Sequence, residues 1–197
     1  MTNPLYLFVG RSASGKSTIA SILETQYGFS QVQSYTTRDK RCATETGHVF
    51  ISDSEFDELQ NVIGYTEYDG HRYCSTKEQL DEALIYVVDT AGVETLLERY
   101  QSERPIIIFY FDATVRTRID RMLNRYDHDA AIVSRLYTDD AFDWEDKLNK
   151  LVWHYKNNIG KDVEMYVLDA NQSIGEVLEQ VKTLMKLDAI DNSKEEE

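Results

Sequence analysis

The feature that most constrains this chain is a glycine-rich run of eight residues, 10–17, with the sequence Gly-Arg-Ser-Ala-Ser-Gly-Lys-Ser. The run matches the pattern G-x-x-x-x-G-K-[ST], which binds phosphate groups. The apolar residues 5–9 before it suit a buried parallel strand, and residues 17–26 after it have the apolar spacing of a helix that stops near Gly28. The sequence therefore predicts a phosphate-binding loop between a strand and a helix.

Backbone amides give such a loop its affinity for phosphate, because glycines let several N–H groups converge on one anion at the positive end of a helix. We predict that seven residues bind a nucleoside triphosphate, which is ATP in the kinase interpretation given below: Ser12, Ala13, Ser14, Gly15, Lys16, Ser17 and Thr18. Lys16 is expected to reach the β- and γ-phosphates and to act in catalysis, and Ser17 is expected to ligate Mg²⁺. The predicted cofactor is accordingly Mg²⁺, with ATP as the phosphoryl donor.

Strand and helix patterns alternate along the rest of the chain. Apolar runs at residues 85–89, 106–112 and 165–169 predict buried strands, and each is followed by the spacing of a helix, the last at residues 174–187. This alternation predicts an α/β fold in which helices on both faces cover a mostly parallel sheet.

The stretch before the strand at residue 85 is rich in turn signals. Ser52-Asp-Ser-Glu55 and Ser75-Thr-Lys-Glu78 are capping-box patterns, and each predicts the start of a helix. Residues 62–68, followed by Asp69-Gly70, predict a β-hairpin. We expect this region to form a small insert in the α/β fold.

Length and charge limit what the chain can do. Its 197 residues are enough for one domain, and its net charge of −14 would repel a nucleic acid. The N-terminal Met-Thr-Asn-Pro does not resemble a secretory signal, and no apolar run approaches the roughly 20 residues that span a bilayer. Cys42 and Cys74 fit neither a zinc pattern nor a disulfide framework. We expect a cytoplasmic monomer or homodimer without nucleic-acid or membrane partners, ending in a disordered acidic tail at residues 188–197.

A phosphate-binding loop leaves the kinase, GTPase and ATPase classes open. The run Asp89-Thr-Ala-Gly92 matches the D-x-x-G of GTPases. A GTPase also needs an [NT]-K-x-D run for guanine, whereas the nearest match, Asn149-Lys-Leu-Val152, ends in valine and has helical periodicity. The separation of Ser17 from Asp89 is also too long for GTPase switch segments. These mismatches favour a kinase.

The segment Ser34-Tyr-Thr-Thr-Arg38-Asp-Lys-Arg41 resembles the S-x-T-T-R-x-x-R signature of the guanylate kinase family. Further segments resemble that family's motifs in the family's order: Gly47-His-Val-Phe50, Gly70-His-Arg-Tyr73-Cys-Ser75, Asp89-Thr-Ala-Gly92 and an arginine-rich lid. The resemblance implies phosphoryl transfer from MgATP to a nucleoside monophosphate, GMP or dGMP. It also implies a P-loop kinase core at residues 1–33 and 84–187, an acceptor-binding insert at residues 34–83 and a mobile lid at residues 125–140.

The resemblance further implies which side chains hold the acceptor. Arg38 and Arg41, three residues apart, would present two planar guanidinium groups to the acceptor phosphate, and Arg38 would act in catalysis. Tyr73 would donate a hydroxyl to the same phosphate, and His48 stands where the family usually has a tyrosine. The implied base-reading residues are Ser34, Ser75 and Asp89.

One base-reading position departs from the family. The family has a glutamate nine residues before the phosphate-binding tyrosine, where this chain has Gly64. Glu67, three residues later, is the nearest carboxylate, and we expect it to read the base through a shift in strand register. Loss of a base-reading carboxylate erodes discrimination. Four alternatives stay open: another deoxynucleotide, a phosphorylated sugar such as ribose bisphosphate, a GTPase, and a non-catalytic module like the kinase-dead domains of scaffold proteins.

Arginine is concentrated late in the chain, where five of the eleven arginines lie within 20 consecutive positions. If these positions begin with a helix, Arg118, Arg121 and Arg125 share a face that differs from its apolar stripe. Arg121, Arg125 and Arg135 resemble the family's lid arginines, which close over ATP and the transferred group, so we predict that they act in catalysis. Arg116 and Arg118 are expected to be ordinary surface charges.

Overall fold

Strands and helices alternate along the chain in the computed structural model, which describes residues 3–40, 43, 45–68, 70–125, 129–140 and 144–187. The strands are β1 (Leu5–Val9), β2 (Ser34–Thr36), β3 (His48–Phe50), β4 (Val62–Tyr68), β5 (His71–Thr76), β6 (Ile85–Val87), β7 (Ile106–Asp112) and β8 (Val163–Asp169). The helices are α1 (Lys16–Tyr27), α2 (Asp53–Asp57), α3 (Lys77–Glu82), α4 (Thr90–Arg99), α5 (Val115–Asn124), α6 (Asp129–Asp140), α7 (Trp144–His154), which continues as a π-helical turn (Tyr155–Ile159), and α8 (Ile174–Met185).

The main sheet contains four parallel strands in the spatial order β6-β1-β7-β8. Leu5, Leu7 and Val9 of β1 lie on one face, where they pack with buried side chains of α4 and α7. Tyr6 and Phe8 lie on the other face, where they pack with α1 and α8. Burial on both faces explains why β1 is apolar at every position. The predicted α/β fold, with a parallel sheet covered by helices on both faces, is confirmed.

A second sheet lies within residues 34–76 and has the strand order β3-β2-β5-β4. The predicted hairpin is formed by β4 and β5, and β2 pairs antiparallel with β5 and parallel with β3. The predicted capping box at Ser52 is present. At α3, however, the N-cap is Thr76 and its partner is Gln79, because Ser75 remains in β5 and donates its hydroxyl to the carbonyl of Ile63 at 3.0 Å.

The carboxyl ends of three parallel strands meet at one edge of the main sheet. The glycine-rich loop follows β1, Asp89 follows β6 and α5 follows β7. Ligands of open α/β sheets bind at this edge. The topology therefore puts the predicted phosphate-binding loop beside the predicted acceptor and lid residues. Across the described parts of the chain, none of the helices has the length and apolar character to cross a membrane.

Candidate active site

Close packing fixes the backbone of the glycine-rich loop. Gly10 has a φ of +150°, and a Cβ atom there would lie 2.7 Å from the carbonyl oxygen of Phe111 in β7. Gly15, the residue before α1, has a φ of +103°, a conformation that side chains disfavour. Substitution at either glycine would therefore displace the backbone amides on which phosphate binding by such a loop depends.

Lys16 is the first residue of α1 and folds back over the loop. Its Nζ donates to the backbone oxygen of Gly10 at 2.7 Å and to that of Arg11 at 2.9 Å. Burial lowers the pKa of Lys16 to about 8, although the nearby carboxylates of Asp139 and Asp89 act in the opposite direction. The lysine is therefore charged at neutral pH but titrates only slightly above it.

The two residues that follow the lysine open onto separate cavities. Thr18 lines a cavity of about 270 Å³ together with Ala13 of the loop. Ser17 lines another of about 220 Å³, which His48 of the second sheet also lines. Arg125, at the end of α5, lines both cavities. This arginine therefore stands between the loop and the second sheet.

A third cavity, of about 200 Å³, lies between the loop and the second sheet, and we call it the central cavity. From the loop it is lined by Ser12 and Lys16. Four of the predicted acceptor-binding residues also line it: Ser34, His48, Tyr73 and Asp89. The structure thus brings part of the predicted ATP-binding set and part of the predicted acceptor-binding set to one place.

Hydrogen bonds hold the polar side chains on the acceptor side of the central cavity. The Oγ atom of Ser34 lies 2.8 Å from Nδ1 of His48, and the ring of His48 meets that of Tyr73 edge-on, with centroids 5.9 Å apart. Asp89 caps α4 by accepting from a backbone N–H at 2.7 Å, and it accepts from the hydroxyl of Thr66 at 2.8 Å. Burial raises the pKa of Asp89, and these hydrogen bonds oppose the rise.

Tyr86 occupies the space beside Gly64. A Cβ atom at Gly64 would lie 3.1 Å from the Tyr86 hydroxyl oxygen, and Gly64 has a φ of +65°. Tyr86 lines the central cavity, and burial raises the pKa of its phenol, with a hydrogen bond to Ser75 acting in the opposite direction. Ser75 itself is fully buried and is not among the described residues that line the cavity. We did not predict Tyr86 as a site residue, because it lies in an apolar run that signals only a buried strand.

Glu67 lies away from the central cavity, which corrects the expectation that it reads the base. Side chains alternate along β4, so Thr66 and Tyr68 line the cavity while Glu67 between them is exposed on the opposite face. There its carboxylate accepts a hydrogen bond from the hydroxyl of Tyr65. The pairing of β4 with β5 is irregular between Ile63 and Thr66, yet this irregularity does not turn Glu67 inward.

Arg38 follows β2 and forms a two-point ion pair with Glu45. The distances are 2.9 Å from Nη2 to Oε1 and 3.2 Å from Nη1 to Oε2, and the side chains are only 11% and 13% exposed. Burial lowers the pKa of Arg38, but the interactions with Glu45 and Tyr73 outweigh it and raise the pKa above its usual value. Paired hydrogen bonds of this kind are how arginine binds phosphate as well as carboxylate. Arg41, the other predicted phosphate-binding arginine, lies outside the described residues.

The three predicted lid arginines have different surroundings. Arg121 donates to four backbone carbonyl groups, two in the loop and two after β8, at distances of 2.8 to 3.3 Å. These contacts brace the loop against the end of β8. Arg125 is exposed at the end of α5, and Arg135 is half-buried in α6.

Comparison with known proteins identifies this arrangement of sheets. No family model and no curated protein sequence matches the chain. Among solved structures, guanylate kinase from Anaplasma phagocytophilum is similar with a TM-score of 0.54 and 15% sequence identity, over 94% of this chain and 86% of that chain. The chain has a guanylate kinase fold. At this identity the similarity concerns the fold, and the chemistry of the site rests on the residues themselves.

Within this guanylate kinase fold, Arg118 is fully buried, which corrects the expectation that it is a surface charge. Its Nη1 donates to Oδ2 of Asp139 in α6 at 3.0 Å, and Asp139 is only 5% exposed. The same Oδ2 accepts from the backbone N–H of Ser12 in the glycine-rich loop at 2.7 Å. Helical periodicity separates the faces of α5 but does not show which face α6 covers. For that reason no sequence pattern pointed to Asp139.

Proposed function

We propose that this chain is an ATP-dependent nucleoside monophosphate kinase, with GMP or dGMP as the first candidate acceptor. The observation that carries the proposal is the central cavity, which the phosphate-binding loop shares with Ser34, His48 and Tyr73 of the second sheet. The loop pattern supports ATP as the donor. The polar side chains opposite the loop support a second, phosphorylated substrate.

Phosphoryl transfer needs positioning and positive charge rather than a nucleophilic side chain, because charge spreads over the moving phosphoryl oxygens. In this proposal Lys16 offsets that charge from the loop, and Arg38 binds the acceptor phosphate after leaving Glu45. Arg125 approaches the transferred group from between the two cavities that it lines, and Arg135 and Arg41 complete the set by resemblance. Arg121 supports the loop, and for it to touch ATP its bonds to backbone carbonyl groups would have to be exchanged.

Ser17 suits the predicted role of magnesium ligand. It is exposed near the start of α1, and its hydroxyl can supply one oxygen. Mg²⁺ in phosphate-transfer sites takes few protein ligands, because phosphate oxygens and water provide the others. Within the described ranges, no group of three histidine, cysteine or acidic side chains could hold a metal by itself. When bound, Mg²⁺ would offset the negative charge of the phosphates.

The surroundings of Gly64 favour a second candidate, in which the acceptor is another deoxynucleotide or a phosphorylated sugar such as ribose bisphosphate. By resemblance, this is the position of the glutamate that reads guanine. Here the hydroxyl of Tyr86 stands beside the glycine, and Glu67 is on the opposite face of β4. A site with a phenol instead of a carboxylate would select a different pattern of hydrogen-bond donors and acceptors.

Both candidates are tested by incubating the purified chain with MgATP and a panel of acceptors, and measuring kcat/KM for each one. The panel contains the common ribo- and deoxynucleoside monophosphates and ribose bisphosphate. Preference for GMP or dGMP supports the first candidate, and preference for another member supports the second. The Lys16→Met variant should lose activity, whereas Lys150→Met, at an exposed position of α7, should keep it. Absence of transfer to every acceptor would contradict the proposal and favour a non-catalytic module.

A further inference from the structure

The carboxylate of Asp139 is hydrogen-bonded to the glycine-rich loop. Its Oδ2 atom accepts from the backbone N–H of Ser12 at 2.7 Å and from Nη1 of Arg118 at 3.0 Å. Asp139 is 5% exposed and Arg118 is fully buried, so solvent screens this arrangement little. The backbone oxygen of Asp139 also accepts from the indole N–H of Trp144 and from Nε of Arg11, the latter at 3.4 Å. Both the side chain and the backbone of Asp139 are therefore held at the loop.

The donors around Oδ2 are those that a phosphate oxygen would use. Ser12 belongs to the run of backbone amides through which a G-x-x-x-x-G-K-[ST] loop binds phosphate. Arg118 adds a guanidinium group, which binds carboxylate and phosphate oxygens alike. Asp139 also lies close enough to Lys16 to favour the charged form of that lysine. A phosphate oxygen at the position of Oδ2 would therefore meet the same backbone donor and the same cation.

We propose that Oδ2 of Asp139 marks a phosphate-binding position, that Asp139 competes with ATP for it, and that Arg118 is a further phosphate ligand once the carboxylate has left. This inference rests on the proposed function only in that the loop binds the phosphates of ATP. Binding moves Asp139 away from Ser12 and leaves Arg118 beside the phosphate chain. Because Asp139 lies in α6, displacement of its carboxylate is linked to movement of the predicted lid.

Calorimetric titration with ATP and with inorganic pyrophosphate tests the competition. Asp139→Asn keeps the size of the side chain but removes its charge, and we expect it to bind both probes about tenfold more tightly than wild type. Asp129→Asn is the matched control, since it makes the same change at an exposed position of the same helix, and its affinity should stay within about twofold of wild type. A side chain with a purely structural role would not strengthen phosphate binding when altered.

The double variant Arg118→Met/Asp139→Asn tests the second part of the proposal. If Arg118 is a phosphate ligand, the double variant should bind pyrophosphate about tenfold more weakly than Asp139→Asn. Equal affinity of the single and double variants would overturn the assignment of Arg118. Equal affinity of wild type and Asp139→Asn would overturn the competition while leaving the kinase proposal intact.

A second measurement keeps Arg118 and Asp139 unchanged, so it does not depend on whether a variant that lacks one of these charges folds. The chain has two tryptophans, and one of them, Trp144, contacts Asp139. The variant Trp153→Phe therefore keeps Trp144 as its single tryptophan. Pyrophosphate should change the emission of Trp144 as Asp139 leaves the loop. Pyrophosphate binding without a change in emission would overturn the displacement. Tighter pyrophosphate binding by Asp139→Asn, without phosphoryl transfer to any acceptor, would sustain this inference and refute the kinase proposal. Absence of phosphate binding in both wild type and Asp139→Asn would refute this inference and the kinase proposal together.

Discussion

In the proposed function, the glycine-rich loop is the donor side of the central cavity and the residues opposite it are the acceptor side, and the two sides recognise their ligands by different means. On the donor side the recognising groups are mostly backbone amides, and their positions are fixed by close packing, as at Gly10 against Phe111. On the acceptor side they are side chains from several strands, including Ser34, Tyr73 and Tyr86. A short sequence pattern can specify the first kind of site, because one loop contains it. The second kind depends on the register and packing of distant segments, so it can change its ligand while the loop stays the same.

The largest effect is expected at Arg125, which lines both the cavity of Thr18 and the cavity of Ser17. Arg125→Ala should lower kcat at least ~100-fold while the fold survives, because cationic stabilisation of the transferred phosphoryl group is lost. The measurement is steady-state kinetics together with thermal unfolding, and Arg116→Ala, at an exposed position of α5, is the control. A decrease in kcat of less than threefold would mean that neither the donor side nor the acceptor side depends on Arg125.

A smaller and more selective effect is expected at Tyr86. Tyr86→Phe removes one hydroxyl group beside Gly64, and we expect kcat/KM for the preferred acceptor to fall about tenfold. The KM for ATP should stay unchanged, because Tyr86 lies on the acceptor side. Tyr137→Phe, at a position that is 83% exposed, is the matched control. If kcat/KM fell equally for ATP and for the acceptor, the donor side and the acceptor side would not act separately.

The smallest expected effect is a pH dependence of ATP binding, which is caused by Lys16 on the donor side. Burial lowers the pKa of Lys16 to about 8, so the lysine loses its proton as the pH rises through that value. The anionic phosphates of ATP favour the charged form of Lys16. The affinity of the chain for ATP should therefore fall about fivefold between about pH 7 and about pH 8.7. Calorimetry over this range measures the decrease, and Lys16→Met should remove it. If the decrease persists in Lys16→Met, another group is responsible.

Local patterns predicted much of the fold, because apolar runs and capping residues determine short elements directly. The bounds predicted for β1, β4 and β7 match the structure. The N-cap of α3 was misplaced by one residue because Ser75 and Thr76 are both good caps, and only the pairing of β5 with β4 retains Ser75 in the strand.

Within the site, the errors share one physical cause, which is that a side chain's neighbours come from elsewhere in the chain. Alternation along β4 sends Glu67 outward, but only the position of the central cavity shows which face of that strand is used. Arg118 looked like a surface charge because its partner, Asp139, lies 21 residues later in another helix. The ion pair of Arg38 with Glu45 also had no sequence signal, because no helix or strand spacing relates these two residues.

The decisive measurement of kinase activity is transfer of the γ-phosphoryl group to an acceptor. The chain is incubated with γ-labelled MgATP, with and without the preferred acceptor of the panel, and the labelled products are separated. If the chain is a kinase, the label should appear on the phosphorylated acceptor, and the Lys16→Met variant should transfer it at least ~100-fold more slowly. Release of the label as inorganic phosphate at the same rate with and without acceptor, or no release at all, would show that the chain is not a kinase.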